Sequence, residues 1–257
     1  LWIGCTKIAP GCKNCYAEKQ TKRFMGDFWG PDKDRKITKS AFPVLSKLQR
    51  SAEKNHEHKM VFVGSMMDIF ENNDNLNDIR FRLFESVENY PNLHFQFLTK
   101  RPEEIGNLTP ATWDVNGAPD NVWFGVSASL PEEAVENTGL LIRNTPVGSN
   151  LFMSIEPMLD EFSEGTLFHI MSAMDWVIVG GESGPKARNF KPDWARKVIT
   201  TARVFDVPVF VKQMGTTWAI KAGLRKIDPK GGDMSFWPGY LQVRENMPIK
   251  IPEAEKV

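Results

Sequence analysis

Trp176–Gln213 reads WVIVGGESGPKARNFKPDWARKVITTARVFDVPVFVKQ. It holds two apolar blocks, WVIVGGE (Trp176–Glu182) and VPVFVKQ (Val207–Gln213), on either side of a segment with helical period. Each block is a largely continuous apolar run rather than an alternation, the pattern of a strand buried on both faces. Between them, in Lys191–Phe205, Pro192 suits a first helical turn, and Trp194, Val198, Ile199, Ala202 and Phe205 fall on one stripe. Strand, helix and second buried strand make a βαβ unit.

The same pattern extends N-terminally. MVFVGS (Met60–Ser65), FQFLTK (Phe95–Lys100), VWFGVS (Val122–Ser127) and LFMSIEP (Leu151–Pro157) are four more apolar blocks. NLNDIRFRLFESVENY (75–90) carries Leu76, Ile79, Leu83, Phe84 and Val87 on one helical stripe behind an Asp74/Asn75 cap. Such units recur roughly every 25 to 35 residues, which predicts an α/β fold whose parallel strands close into a partial or complete (β/α) barrel or stack as a doubly wound sheet. The expected organisation is a barrel over 1–215 that includes an N-terminal three-cysteine loop, and an irregular C-terminal extension over 216–257 packed on the barrel.

A chain of 257 residues, 41% hydrophobic, can fill one large core. Lys+Arg 32 against Asp+Glu 32 leaves no net charge, so the basic excess of a dedicated nucleic-acid binder is absent. No apolar run reaches the ~20 residues of a membrane span, and the first residues have neither a charged n-region nor an apolar h-region. A cytoplasmic protein with no membrane association is expected; because the sequence starts at Leu1 and not Met, native residues are expected to precede it.

Every strand block ends in polar residues. These are Ser65 and Asp68; Thr99, Lys100 and Arg101; Ser127; Ser154 and Glu156; Gly180, Gly181 and Glu182; and Lys212 with Gln213. In a parallel barrel the C-terminal strand ends share one mouth, where active sites are built. Turn chemistry accounts for Ser, Thr and Gly there, but not for six charged side chains, so Asp68, Lys100, Arg101, Glu156, Glu182 and Lys212 are the candidate catalytic residues. Lys100, Arg101 and Lys212 suit an anionic group such as a phosphate; ion pairs with Glu156 or Glu182 are the structural alternative. The aromatic residues fall mostly in strand blocks or on helix stripes and read as core.

All three cysteines of the chain, Cys5, Cys12 and Cys15, lie in GCTKIAPGCKNCYAE (Gly4–Glu18), where Pro10 and Gly11 supply a sharp turn. Three thiolates in one loop suit a soft or borderline metal centre. Three readings compete: a [4Fe-4S] cluster with one iron left open, a Zn ion completed by His56 or His58, or incidental cysteines, which their confinement to one loop argues against. A structural Zn normally staples a unit too small to fold unaided, whereas this chain has ample core.

This loop together with VFVGSMMDIF, FQFLTKRPE, NVWFGVS, SIEPML, DWVIVGGESGPKARNFKPDW and VPVFVKQMG resembles, over nearly the whole chain, a phage-encoded three-cysteine-motif family, itself similar to radical S-adenosylmethionine (SAM) enzymes such as the spore photoproduct lyase group. The resemblance implies a TIM-barrel-like partial (β/α)6 fold with a [4Fe-4S] cluster on Cys5, Cys12 and Cys15 in the loop after the first strand. It also implies reductive cleavage of SAM to a 5′-deoxyadenosyl radical, an electron-donor protein as partner, and the host cytoplasm as the compartment. The first cysteine spacing is six rather than three residues, and Asn14 stands where an aromatic usually precedes the third cysteine, so Tyr16 becomes the candidate for the adenine contact. Ser65 and Asp68, with Gly64, are the candidates for the SAM amino group. Gly180 and Gly181 are expected to line the cofactor or substrate by close backbone approach, with Thr99, Ser127, Ser154 and Gln213 in the same cofactor-binding set. The phage context implies a nucleotide or nucleic-acid substrate by analogy. A zinc-stabilised, non-catalytic phage binding module is the alternative from a different class.

Overall fold

The computed structural model describes residues 1–249. In chain order the elements are β1 (Trp2–Ile3), α1 (Tyr16–Phe24), β2 (Lys36–Ile37), α2 (Ala41–Asn55), β3 (Lys59–Val63), α3 (Asn77–Ser86), β4 (Leu93–Thr99), α4 (Ile105–Leu108) and α5 (Ala111–Asn116). They continue with β5 (Val122–Ser127), α6 (Pro131–Asn144), β6 (Asn150–Ile155), α7 (Glu164–Met171), β7 (Trp176–Gly180), α8 (Pro192–Val204), β8 (Val209–Gln213) and α9 (Thr216–Lys221). Strands β3 to β8 pair in sequence order and all in parallel, forming a six-stranded sheet curled into a half-barrel with helices outside. A doubly wound sheet would reverse its order at a switch point; this one does not, so the barrel expectation holds. β1 and β2 form a separate antiparallel pair, so the cysteine loop follows a strand outside the main sheet, not the first strand of the barrel.

The outward face of the sheet is the main core. Phe95 and Phe97 on β4, Phe124 and Val126 on β5, and Met153 and Ile155 on β6 are wholly buried beneath the helices. Phe70, Phe84, Phe97, Trp113 and Phe124 interlock there with ring centroids 5.2–6.4 Å apart, in the stacked, tilted and edge-on arrangements favoured by aromatic quadrupoles. The inward face changes along the strands. Near the strand starts, Trp123, Phe152 and Trp176 close the half-barrel together with Met247 from the C-terminal segment. Gly125 makes room for this plug, since a Cβ there would sit 2.2 Å from the Phe152 ring. Towards the strand ends the same face becomes polar, and the barrel is open.

Two departures follow from the open edges. β3 is not buried on both faces: Met60 and Phe62 are 40% and 45% exposed, because β3 is an edge strand and its inner face looks into the gap of the half-barrel. β8, the other edge, is covered by the chain at 243–245. There Val211 N–H donates to the Val243 carbonyl and Glu245 N–H to the Val209 carbonyl, both at 2.9 Å, which removes an otherwise unpaired edge. The last eight residues of the expected C-terminal extension, 250–257, lie outside the described residues.

The helix over 75–90 is shorter than its pattern. Asp74–Leu76 is a 3-10 turn capped by the Asn73 side chain, which accepts from Asn75 N–H, and the α-helix starts at Asn77. Ile79 is only half-buried, and Arg80 takes the buried position beside it. Its guanidinium is satisfied by the carbonyls of Ile69 and Glu71 at 2.7 and 2.6 Å. On α8 the expected stripe is buried except Phe205, which lies just past the helix end.

At the strand starts His58 Nδ1 and His94 Nε2 are 2.9 Å apart. Burial, reinforced by His58, pulls the buried His94 imidazole down to about 4 from 6.5. A histidine with a depressed folded pKa is bound by more protons when unfolded, so stability is present above about pH 6.5 and is lost as pH falls towards 4. We expect urea unfolding to show a loss of about 2 kcal/mol between pH ~6.5 and ~4.5, largely absent in His94→Asn; equal pH dependence in both proteins would contradict this.

Candidate active site

A cavity of about 240 Å³ opens at the C-terminal ends of the sheet strands. All three cysteines line it, as do all six charged residues expected at the strand ends and Tyr16, Ser65, Thr99, Ser127, Ser154, Gly181 and Gln213. Gly180 is the one expected site residue outside the lining; it sits in the β7 ladder, its carbonyl accepting from Met158 N–H. Gly181 is glycine for a packing reason: a Cβ there would lie 2.3 Å from the Met214 carbonyl oxygen. The close approach is therefore to the chain just past the end of the neighbouring strand β8.

The first end of the cysteine loop is held by two buried ion pairs. Asp68 accepts from Thr99 Oγ1 at 2.7 Å and Phe70 N–H at 3.0 Å on one oxygen, and from Lys100 N–H at 3.1 Å and Arg101 Nη1 at 2.9 Å on the other. Both oxygens are thus occupied by protein donors, and Asp68 acts as the organiser of the β4 end. The Arg101 guanidinium continues to the Thr6 carbonyl at 2.7 Å and to Cys5 Sγ at 3.7 Å. Beside it Glu71 receives Arg35 Nη2 at 2.6 Å, Arg35 Nε at 2.9 Å and Thr6 N–H at 3.1 Å. Gly4 has φ +114° and packs so tightly on the Phe28 carbonyl that a Cβ would come within 2.2 Å, while its N–H donates to the Met66 carbonyl at 3.0 Å. Burial, with Asp68 next, pushes the Cys5 thiol up to about 12, against the pull of Arg101. A metal displaces such a proton outright.

The other end is held by the loop after β7. Glu182, 7% exposed, receives Arg188 Nη2 at 2.7 Å, Arg188 N–H at 2.7 Å and Asn14 Nδ2 at 3.1 Å. Burial raises its carboxyl, but the Arg188 and Asn14 hydrogen bonds outweigh this and leave it below the usual range. Asn14 also reaches the Lys186 carbonyl at 2.9 Å, and Arg188 Nη1 the Pro10 carbonyl at 3.1 Å. Gly11 is pressed against the strand ends, where a Cβ would lie 2.3 Å from Ser129 Oγ. Cys15 stands at the N-terminus of α1; burial pushes its thiol up, against the N–H groups of Glu18 and Ala17. Tyr16 fixes its hydroxyl on the Ser65 carbonyl at 2.9 Å and leaves its ring half exposed beside the cavity.

On the remaining wall Lys212 pairs with Glu156 at 2.8 Å, and Gln213 Nε2 donates to the Gly181 carbonyl at 2.9 Å. Lys100 donates to the Ser127 hydroxyl, which in turn donates to the Glu156 carbonyl at 3.1 Å. Arg188, Arg35 and Glu71 were not among the residues expected from sequence. Arg188 had a signal, a cation six residues after Glu182 in GGESGPKAR; Arg35 and Glu71 had none, since their pairing depends on tertiary contact.

The three cysteines are the soft donors of this lining. Among the described residues no three or more His, Cys, Asp or Glu side chains are gathered to hold a metal ion, yet the three sulfurs face one cavity. The expectation that His56 or His58 could complete a Zn site is corrected by the fold. Both precede β3, so the length of that strand, roughly 17 Å for five residues, separates them from the cysteines, and His58 is engaged with His94.

Fold and site together define a partial parallel β/α barrel with a cysteine-lined cavity at its C-terminal mouth. Residues 1–238 match the family described as Protein of unknown function (DUF5131), and the chain belongs to that family. No curated protein and no solved structure matches it.

Removing one member of a buried ion pair strands its partner. Arg35→Met, which leaves Glu71 unpaired, is expected to lower unfolding free energy by about 3–5 kcal/mol and to raise amide hydrogen exchange at residues 4–6. Unchanged exchange there would show that the pair does not hold the loop.

Proposed function

We propose that the protein is a radical SAM-type enzyme in which Cys5, Cys12 and Cys15 hold a [4Fe-4S] cluster. The observation that carries this reading is that all three thiols line the one cavity formed by the C-terminal strand ends, where α/β-barrel chemistry takes place. When bound, such a cluster supplies the electron that cleaves SAM to a 5′-deoxyadenosyl radical.

The chain's own residues have distinct tasks in this reading. Arg101 donates towards the Cys5 sulfur, and hydrogen bonds to ligand sulfurs tune cluster potential. Tyr16, anchored on Ser65, offers an aromatic face for adenine. Gly64 and Ser65 lie at the end of β3 on the cavity wall and are the candidates for the SAM amino group, with Asp68 as a positioning residue, since its oxygens are already engaged. Phe62, Leu98 and Met67 form an apolar part of the lining that limits water. An electron-donor protein would supply the reducing equivalent, and a nucleotide or nucleic acid is the substrate class that the resemblance to a phage-encoded family implies by analogy.

Anaerobic purification and reconstitution should yield brown protein with about four irons and four sulfides per chain, and dithionite with SAM should release 5′-deoxyadenosine. Cys12→Ala is expected to abolish that release. Undiminished release from Cys12→Ala, or colourless protein holding one zinc, would remove the radical reading.

A further inference from the structure

The charged side chains around the cavity are almost all paired off. Asp68 is matched by Arg101, Glu156 by Lys212, Glu182 by Arg188 and Lys7 by Glu18. Lys100 is the exception. Its ammonium faces the cavity and donates only to the neutral hydroxyl of Ser127, and among the described residues no carboxylate lies within ion-pairing reach. Of the three cations expected to bind an anion, Arg101 and Lys212 are therefore spent on carboxylates, and one unit of positive charge remains.

We infer that Lys100 is the anchor for a phosphate group on the substrate. A half-buried ammonium without a counter-charge is unfavourable in a partly desolvated cavity, and an incoming anion relieves that. An ammonium has three donors; Ser127 takes one and orients the head, leaving the others for ligand oxygens. Ser127 is itself fixed by the Glu156 carbonyl, so the anchor is pre-organised. A compact ammonium binds phosphate as a point charge, and the more highly charged phosphate is attracted to it more strongly than a single carboxylate is. The position also suits the cysteine loop: a Cβ on Gly11 would lie 3.5 Å from Lys100 Nζ. A phosphate here would thus be held beside the loop, with the rest of the substrate directed into the open half-barrel.

The inference rests on the proposed function only in taking this cavity as the substrate chamber, and it is tested without any turnover. Calorimetric titration of the full chain with inorganic phosphate should show saturable binding, weakened about tenfold or more in Lys100→Met and largely retained in Lys100→Arg; acetate should bind more weakly than phosphate. Thermal unfolding supplies an independent readout, because removing an uncompensated cation should leave the melting temperature of Lys100→Met unchanged or raised. Phosphate binding that is unaltered in Lys100→Met, absent from the unmodified protein, or no stronger than that of acetate would overturn the inference, as would a marked fall in melting temperature. None of these results bears on SAM cleavage, so failure here and failure of the radical reading are distinguishable.

Discussion

The arrangement depends on paired charges that hold a loop with almost no core of its own. Gly4–Cys15 contributes little buried apolar surface, and its course is set by ion pairs at its two ends. Arg101–Asp68 and Arg35–Glu71 secure Cys5 and Thr6 against the ends of β3 and β4. Glu182–Arg188 secures Pro10 and Asn14 from the far side of the sheet. Buried pairs of this kind are weak contributors to net stability but strongly penalise any state in which one partner is left alone. The loop is consequently registered against the strand ends, with its three cysteines on the wall of the cavity.

The half-barrel supplies the complementary asymmetry. Its N-terminal end is sealed by Trp123, Phe152, Trp176 and Met247, and its C-terminal end is lined by hydroxyls and charges under the cysteine loop. One edge strand is covered by the C-terminal segment, while β3 leaves Met60 and Phe62 facing the gap. The cavity is thus open at the top and along that lateral gap, past an apolar wall, and its only uncompensated charge among the described residues is Lys100.

The parts of this structure that rest on periodicity could be read from the sequence. The six apolar blocks became β3 to β8 in order, and α8 emerged with its Pro192 start and its Trp194, Val198, Ile199 and Ala202 face. Polar residues at strand ends converged on one cavity because parallel strands make them do so. What could not be read depended on partners distant in sequence. Burial of Arg80 in place of Ile79 needs the carbonyls of Ile69 and Glu71. The occupation of Asp68 by four donors, and the use of Gly181 for contact with Met214, likewise appear only when neighbouring strand ends are brought together. The same holds for His56 and His58 as zinc ligands: sequence counts ligands, but the length of β3 decides which end of the sheet they reach.

The centre of this reading is tested most directly by an oxygen-free crystal structure of the reconstituted protein with anomalous data at the iron edge. The expected result is iron bonded to the sulfurs of Cys5, Cys12 and Cys15 at the cavity wall. Anomalous density from one zinc, or iron bound away from these three sulfurs, would contradict it.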